Sequence, residues 1–129
     1  MTDPLQTPPV ILVVDDEKHM HMLLQLCLGR TGAKVRFASL GSEAVTICAG
    51  GGIDLIVLDY MMPGMDGVET LRQLRAQPQS AAIPVIMLTS RGQEDFRREA
   101  ERMGVVHFFA KPFSPAELAR TAGGYLRRP

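Results

Sequence analysis

The stretch VILVVDDEKHM, from Val10 to Met20, runs five apolar residues straight into Asp15, Asp16 and Glu17. An unbroken apolar run of this length, with no polar alternation, suits a strand covered on both faces, as in a parallel sheet between two layers of helices. The acids at its end repel one another, and burying any of them is costly. A chain that keeps them there needs positive charge from elsewhere, and the rest of the sequence can be searched for it.

Outward from that strand, apolar residues recur at Met20, Leu23, Leu24, Cys27 and Leu28, which form one face of a helix from about Glu17 to Arg30, with Gly32 just beyond its end. Lys34 to Ala38 alternates as a strand with one half-exposed face, and Gly41 to Ala49 is a short helix closed by three glycines. Ile53 to Leu58 is the second strongly apolar strand, and it runs into Asp59 and the turn-rich loop YMMPGMDG. A helix follows over Val68–Ala76, then a strand over Val85–Leu88 ending in Thr89 and Ser90. A mostly charged helix covers Gln93–Met103, with Phe96, Ala100 and Met103 as its thin apolar stripe. Val105 to Ala110 is the last strand and ends at Lys111-Pro112. Ser114, Pro115 and Glu117 then open a last helix with a capping box, and that helix meets Gly123-Gly124, a pair costing about 1 kcal/mol each in a helix interior. Strands alternating with helices through short connections define an α/β, doubly wound parallel sheet with right-handed crossovers.

The 129 residues suit one domain, expected over 10–128 behind a flexible arm of residues 1–9. Fourteen basic and fourteen acidic residues leave no formal net charge, and the basic residues are scattered, so neither nucleic acid nor an anionic membrane is called for as a partner. No apolar run approaches the ~20 residues of a membrane span, and the polar start lacks a signal-peptide core. Cys27 and Cys48 stand far apart, in no metal-ligand spacing, and read as buried thiols of a reducing, cytoplasmic compartment.

Chemistry gathers at the strand ends: Asp15 and Asp16, Asp59, Thr89 and Lys111. In an open parallel sheet all of these lie along one edge, and ligands bind where the strand order reverses. A sheet ordered 2-1-3-4-5 would make the first and third strands neighbours and bring the three carboxylates into one pocket, with Thr89 and Lys111 beside it. Such a cluster needs compensation, and a hard divalent cation supplies it; Mg2+ fits better than zinc, for which there is no Cys/His set. A carboxylate nucleophile flanked by a cation, a lysine and a hydroxyl is suited to holding a phosphoryl group.

On VVDDE, LDYMMPGMDG, MLTS and AKPF, taken in order and each at a strand end, the chain resembles the receiver domain of two-component response regulators from about Ile11 to Arg128. The spacings agree, with 30 residues from Asp59 to Thr89 and 22 from Thr89 to Lys111. The resemblance implies a flavodoxin-like (βα)5 fold with strand order 2-1-3-4-5. It implies Asp59 as the phosphorylation site. Asp16 is implied as a direct Mg2+ ligand, Asp15 as acting through water or by pairing with Lys111, and Met61 as a ligand through its backbone carbonyl. It implies that Thr89 and Lys111 contact the phosphoryl oxygens, that Lys111-Pro112 is cis, and that Phe108 is the switch aromatic turning inward when Thr89 moves. Pro63, Gly64 and Gly67 shape the loop after Asp59. The resemblance implies that Arg91 and Met61 stand at the two variable positions that in this family tune phosphoryl lifetime, and their bulk is expected to slow self-hydrolysis. Glu17 is expected mainly to start the helix, and His19 and His21 to be exposed.

The function so implied is a signalling switch that is no enzyme beyond its own phosphorylation and dephosphorylation. A sensor histidine kinase or phosphotransfer protein is the expected donor. The expected target is a downstream protein or a linked output domain absent from this chain, and the charged fourth helix, with Arg97 and Arg98, is a possible docking surface. Two other readings compete. An aspartyl-phosphate phosphatase requires a second acid two residues after the nucleophile, where this chain has Met61. A degenerate receiver that only docks requires lost site residues, whereas Asp15, Asp16, Asp59, Thr89 and Lys111 are all present.

Overall fold

The computed structural model describes residues 7–62, 64–90 and 95–126. Among the described residues ten elements alternate: β1 (Val10–Val14), α1 (Lys18–Gly29), β2 (Lys34–Ala38), α2 (Gly41–Ala49), β3 (Leu55–Asp59), α3 (Gly67–Arg75), β4 (Val85–Ser90), α4 (Arg97–Arg102), β5 (Val105–Lys111) and α5 (Pro115–Leu126). The five strands form one parallel sheet in the order β2-β1-β3-β4-β5, as the resemblance implied.

Alternation along each strand divides the core in two. Leu12, Val14, Ile56, Leu58, Val85 and Met87 face α2, α3 and α4, whereas Ile11, Val13, Leu55, Val57, Ile86 and Leu88 face α1 and α5. Both faces of β1 and β3 are covered, which is why these two segments read as unbroken apolar runs. Among the described residues no helix is long and apolar enough to cross a membrane.

Some boundaries differ from the sequence reading. Strand β3 begins at Leu55 because Asp54 is engaged at the start of β1: its backbone N–H donates to the Val10 carbonyl, and its carboxylate accepts from the Val10 N–H at 2.8 Å. Helix α4 is described only over Arg97–Arg102; Gln93 and Glu94 lie outside the described residues, and Asp95 and Phe96 form a turn. Helix α5 runs through Gly123 and Gly124 to Leu126 rather than breaking at them. Leu118 and Ala122 are fully buried, and Leu126, one turn further on, packs against the same core. That burial outweighs the helix-breaking cost of two glycines. Of the expected flexible arm, residues 1–6 lie outside the described residues, while the Pro9 carbonyl accepts a hydrogen bond from the Lys34 N–H.

Candidate functional site: an acidic pocket at the carboxyl edge of the sheet

Register assembles the pocket. Val14 pairs with Leu58, so Asp15 and Asp59 leave neighbouring strands at the same level. Asp59 pairs with Leu88, which places Thr89 one step above it, and Ser90 pairs with Lys111. Asp15 continues the parity of Ile11 and Val13, Asp59 that of Leu55 and Val57, and Lys111 that of Phe109, so all three side chains emerge on the α1/α5 face.

The geometry is tight. Asp15 is fully buried and Asp59 is 3% exposed. Lys111 Nζ donates to Asp59 Oδ2 at 3.0 Å, lies 3.5 Å from Asp15 Oδ2 and reaches to within 3.9 Å of Glu17 Oε1. Asp15 Oδ1 accepts the Glu17 N–H at 2.9 Å, and Asp59 Oδ1 accepts the Met61 N–H at 3.2 Å. Asp15 Oδ2 is buried with no hydrogen-bond partner among the described residues; the Lys111 ammonium beside it is at ion-pair distance. A buried, unpartnered carboxylate oxygen is expensive and points at a missing positive charge. Carboxylate oxygens of Asp15, Glu17 and Asp59 all lie within 4.8 Å of one another, a spacing that a hard cation can bridge.

Burial pushes the Asp59 carboxyl up to about 6, and the charge of Asp15 adds to this, while Lys111 and the Met61 N–H pull the other way without prevailing. Burial lowers the affinity of Lys111 for its proton, but the hydrogen bond to Asp59 and the charges of Asp59, Asp15 and Glu17 outweigh it and leave the group raised. Among the described residues the pocket therefore sets one cation, Lys111, against the three acids Asp15, Glu17 and Asp59.

The other anticipated residues fall as follows. Thr89, 9% exposed, sits at the end of β4 on the α4 face, beside the small Ala110. Phe108 is half-buried on that same face, paired with Met87 in the sheet. Met61 is exposed. The peptide bond from Lys111 to Pro112 is cis. Asp16 is exposed and outside the converging group, whereas Glu17, expected mainly as a helix starter, both precedes α1 and joins the cluster. His19 is exposed and pairs with Glu17, but His21 is not exposed: its Nε2 donates to the Asp15 carbonyl, and its ring stacks on Phe37 at 4.7 Å. Pro63 and Arg91 lie outside the described residues.

Gly67 shapes the loop after Asp59, as its place in the sequence suggested. A Cβ on Gly67 would lie 2.7 Å from the Tyr60 Cα and 2.9 Å from the Asp59 carbonyl oxygen, so the loop after Asp59 folds back against α3 only because residue 67 has no side chain. Gly67→Ala must therefore move backbone next to Asp59, and chemical denaturation should show a loss of about 1–3 kcal/mol. An unchanged midpoint would mean that the loop is free to give way. Away from the pocket, Arg75 makes a tie that no pattern in the sequence marks. Its half-buried guanidinium donates to the Ser80 carbonyl at 2.8 Å and the Met103 carbonyl at 2.6 Å, tying the end of α3 to the end of α4.

This sheet order, with carboxylates at the ends of β1 and β3 and a lysine at the end of β5, defines a class of α/β domain with an acidic pocket at the carboxyl edge of its sheet. Residues 11–122 match the model of the response regulator receiver domain, and the chain belongs to that family. It is 42% identical over 118 residues to the transcriptional regulatory protein ResD of Bacillus subtilis, covering 92% of this chain and 48% of that protein. It is 38% identical over 120 residues to the phosphate regulon transcriptional regulatory protein PhoB of Rhizobium meliloti, covering 93% of this chain and 53% of that one. The chain thus spans about half the length of these curated relatives. Among solved structures it superposes on the chemotaxis protein CheY4 of Vibrio cholerae with a TM-score of 0.84 at 29% identity, covering 93% of this chain and 100% of that one. It also superposes on the receiver domain of a sensor histidine kinase from Pseudomonas aeruginosa, which has a magnesium ion coordinated in its active-site cleft. That match has a TM-score of 0.82 at 28% identity and covers 93% of this chain and 98% of the other.

Proposed function

We propose that this receiver domain is a phosphorylation-controlled signalling switch that takes a phosphoryl group on Asp59 in the presence of Mg2+. The observation that carries the reading is the Lys111–Asp59–Asp15 arrangement, with its buried, unpartnered Asp15 oxygen. Asp59 is the nucleophile: Lys111 and the Met61 N–H orient its two oxygens, one each. Lys111 then turns from the carboxylate to the incoming phosphoryl oxygens, and the Thr89 hydroxyl donates to them from the neighbouring strand end. Asp15, Asp59 and Glu17 form the acid set for the metal, with Asp16 and the Met61 carbonyl as the further ligands implied by family membership. When bound, Mg2+ neutralises the charge that builds on the phosphoryl group.

The donor is a sensor histidine kinase or a phosphotransfer protein, and the protein has no enzymatic activity beyond its own phosphorylation and dephosphorylation. The target is a partner protein or a linked output domain; the relatives ResD and PhoB, by name transcriptional regulators, are about twice as long as the matched region. Work in the cytoplasm follows from such partners. Differential contacts of Thr89 and Phe108 in the phosphorylated state bias the α4-β5-α5 face toward the form the partner reads.

Incubation with acetyl phosphate and Mg2+ tests the reading by intact mass. One added phosphoryl group, absent from Asp59→Ala, is expected; no adduct with any donor would leave the docking module as the better account. Magnesium alone should also stabilise the protein. At about 100 times the dissociation constant the gain is about 2.7 kcal/mol, seen as a raised thermal midpoint and reversed by chelator. Asp15→Asn should remove most of that gain, and an equal gain in the variant would show that the ion binds elsewhere.

A further inference from the structure

Phe108 does not stand alone on its face of the sheet. The ring of Tyr60, the residue after Asp59, lies parallel to that of Phe96, with centroids 3.9 Å apart and planes 6° from parallel. Phe96 sits at the start of α4 and contacts Phe108, centroid to centroid at 6.4 Å. The Arg97 guanidinium lies over the Phe108 ring, 4.6 Å from its centroid. Tyr60, Phe96 and Phe108 all pack against the core on the α4 face. The Tyr60 backbone is itself pinned, its N–H donating to the Leu88 carbonyl and its carbonyl accepting from Gly67. A shift of the loop at Asp59 therefore acts directly on a ring stacked against the first turn of α4, and that turn carries the cation lying on Phe108.

Building on the reading of Asp59 as phosphoacceptor and Phe108 as switch, we propose that Tyr60, Phe96 and Arg97 are positioning residues. They form a second mechanical link from Asp59 to α4, with Arg97 as a latch holding Phe108 in its phosphate-free position. The charge of Arg97 is thus spent on this chain, and it is not a free docking residue. Glu99 is spent likewise, in an ion pair with Arg72 that joins α4 to α3. A cation over an aromatic face at a partly exposed site biases an equilibrium by roughly two- to five-fold. When the phosphorylation-competent form is the minor one, its population scales the rate.

The test compares the parent chain, Arg97→Met and Arg97→Lys. Arg97→Met keeps the aliphatic stem and loses the cation, and its rate of labelling by acetyl phosphate is expected to rise roughly two- to five-fold with an unchanged thermal midpoint. Arg97→Lys, which restores a cation, should return most of the way. Aromatic NMR of the phosphate-free proteins supplies the second readout: in Arg97→Met the resonances of both Phe108 and Tyr60 should shift, although Arg97 lies over Phe108 alone. Equal rates, or a shift confined to Phe108, would overturn the link. Should the parent chain take no phosphoryl group, the reading of Asp59 fails, and the link is still decided by whether Tyr60 responds.

Discussion

Asp59→Asn is expected to make the metal-free protein more stable at pH 7, by about 2–3 kcal/mol, although it removes the proposed phosphoacceptor. The carboxyl is held at about 6 in the fold against an ordinary value of 3.8, chiefly by burial and secondarily by Asp15. A shift of roughly two units corresponds to about 3 kcal/mol between the protonation states. The sign follows from proton counting. Between about pH 4 and 6 the folded protein keeps a proton on Asp59 that the unfolded chain has lost, so stability falls as pH rises through that window. Asparagine has no charge to bury and can still accept from Lys111. The two proteins should therefore match below about pH 4 and diverge as pH rises to 7, as followed by denaturant unfolding in the presence of chelator. A destabilised Asp59→Asn at pH 7 would mean that the ion pair with Lys111 outweighs the burial of the acid.

Lys111→Met should act in the opposite direction and more strongly. It removes the cation bonded to Asp59 and adjacent to Asp15 and Glu17, and leaves two buried carboxylates facing each other. Breaking a buried pair by deleting one partner typically costs about 3–5 kcal/mol. The loss should shrink in the Asp59→Asn background, where one of the stranded charges is already gone, and a double-mutant cycle should return a coupling well above the scatter of independent sites. Saturating Mg2+ should recover part of the deficit, since a second source of positive charge becomes available to the same acids. Additive effects of the two substitutions would show that Lys111 is solvated in solution rather than seated in the pocket.

Much of this was legible in the chain because burial on both faces leaves a simple trace. Val10–Val14 and the strand into Asp59 are apolar without interruption, and each ends in a carboxylate that an apolar core would not tolerate without purpose. Their adjacency, and with it the pocket, followed once the order of the strands was right. What stayed hidden depends on side-chain direction at short range. Asp16 and Glu17 are neighbours with similar chemistry, yet the turn into α1 sends Glu17 toward Lys111 and leaves Asp16 exposed. His21 is a polar residue on a helix, and nothing in its spacing shows that it reaches back to the Asp15 carbonyl. The Tyr60–Phe96 stack joins residues 36 positions apart through loops that have no periodicity to read. Gly123 and Gly124 are helix breakers by propensity, overruled by the burial of Leu118 and Ala122 on the same helix.

The most direct test of the central claim is to locate the phosphoryl group. After incubation with acetyl phosphate and Mg2+, borohydride reduces an aspartyl phosphate to homoserine, and peptide mapping then reads the modified position. Homoserine at Asp59, with Asp15 and Asp16 unmodified and no product when chelator replaces Mg2+, is the predicted result. Modification at another residue, or an unmodified chain under conditions in which Mg2+ demonstrably binds, would contradict the account.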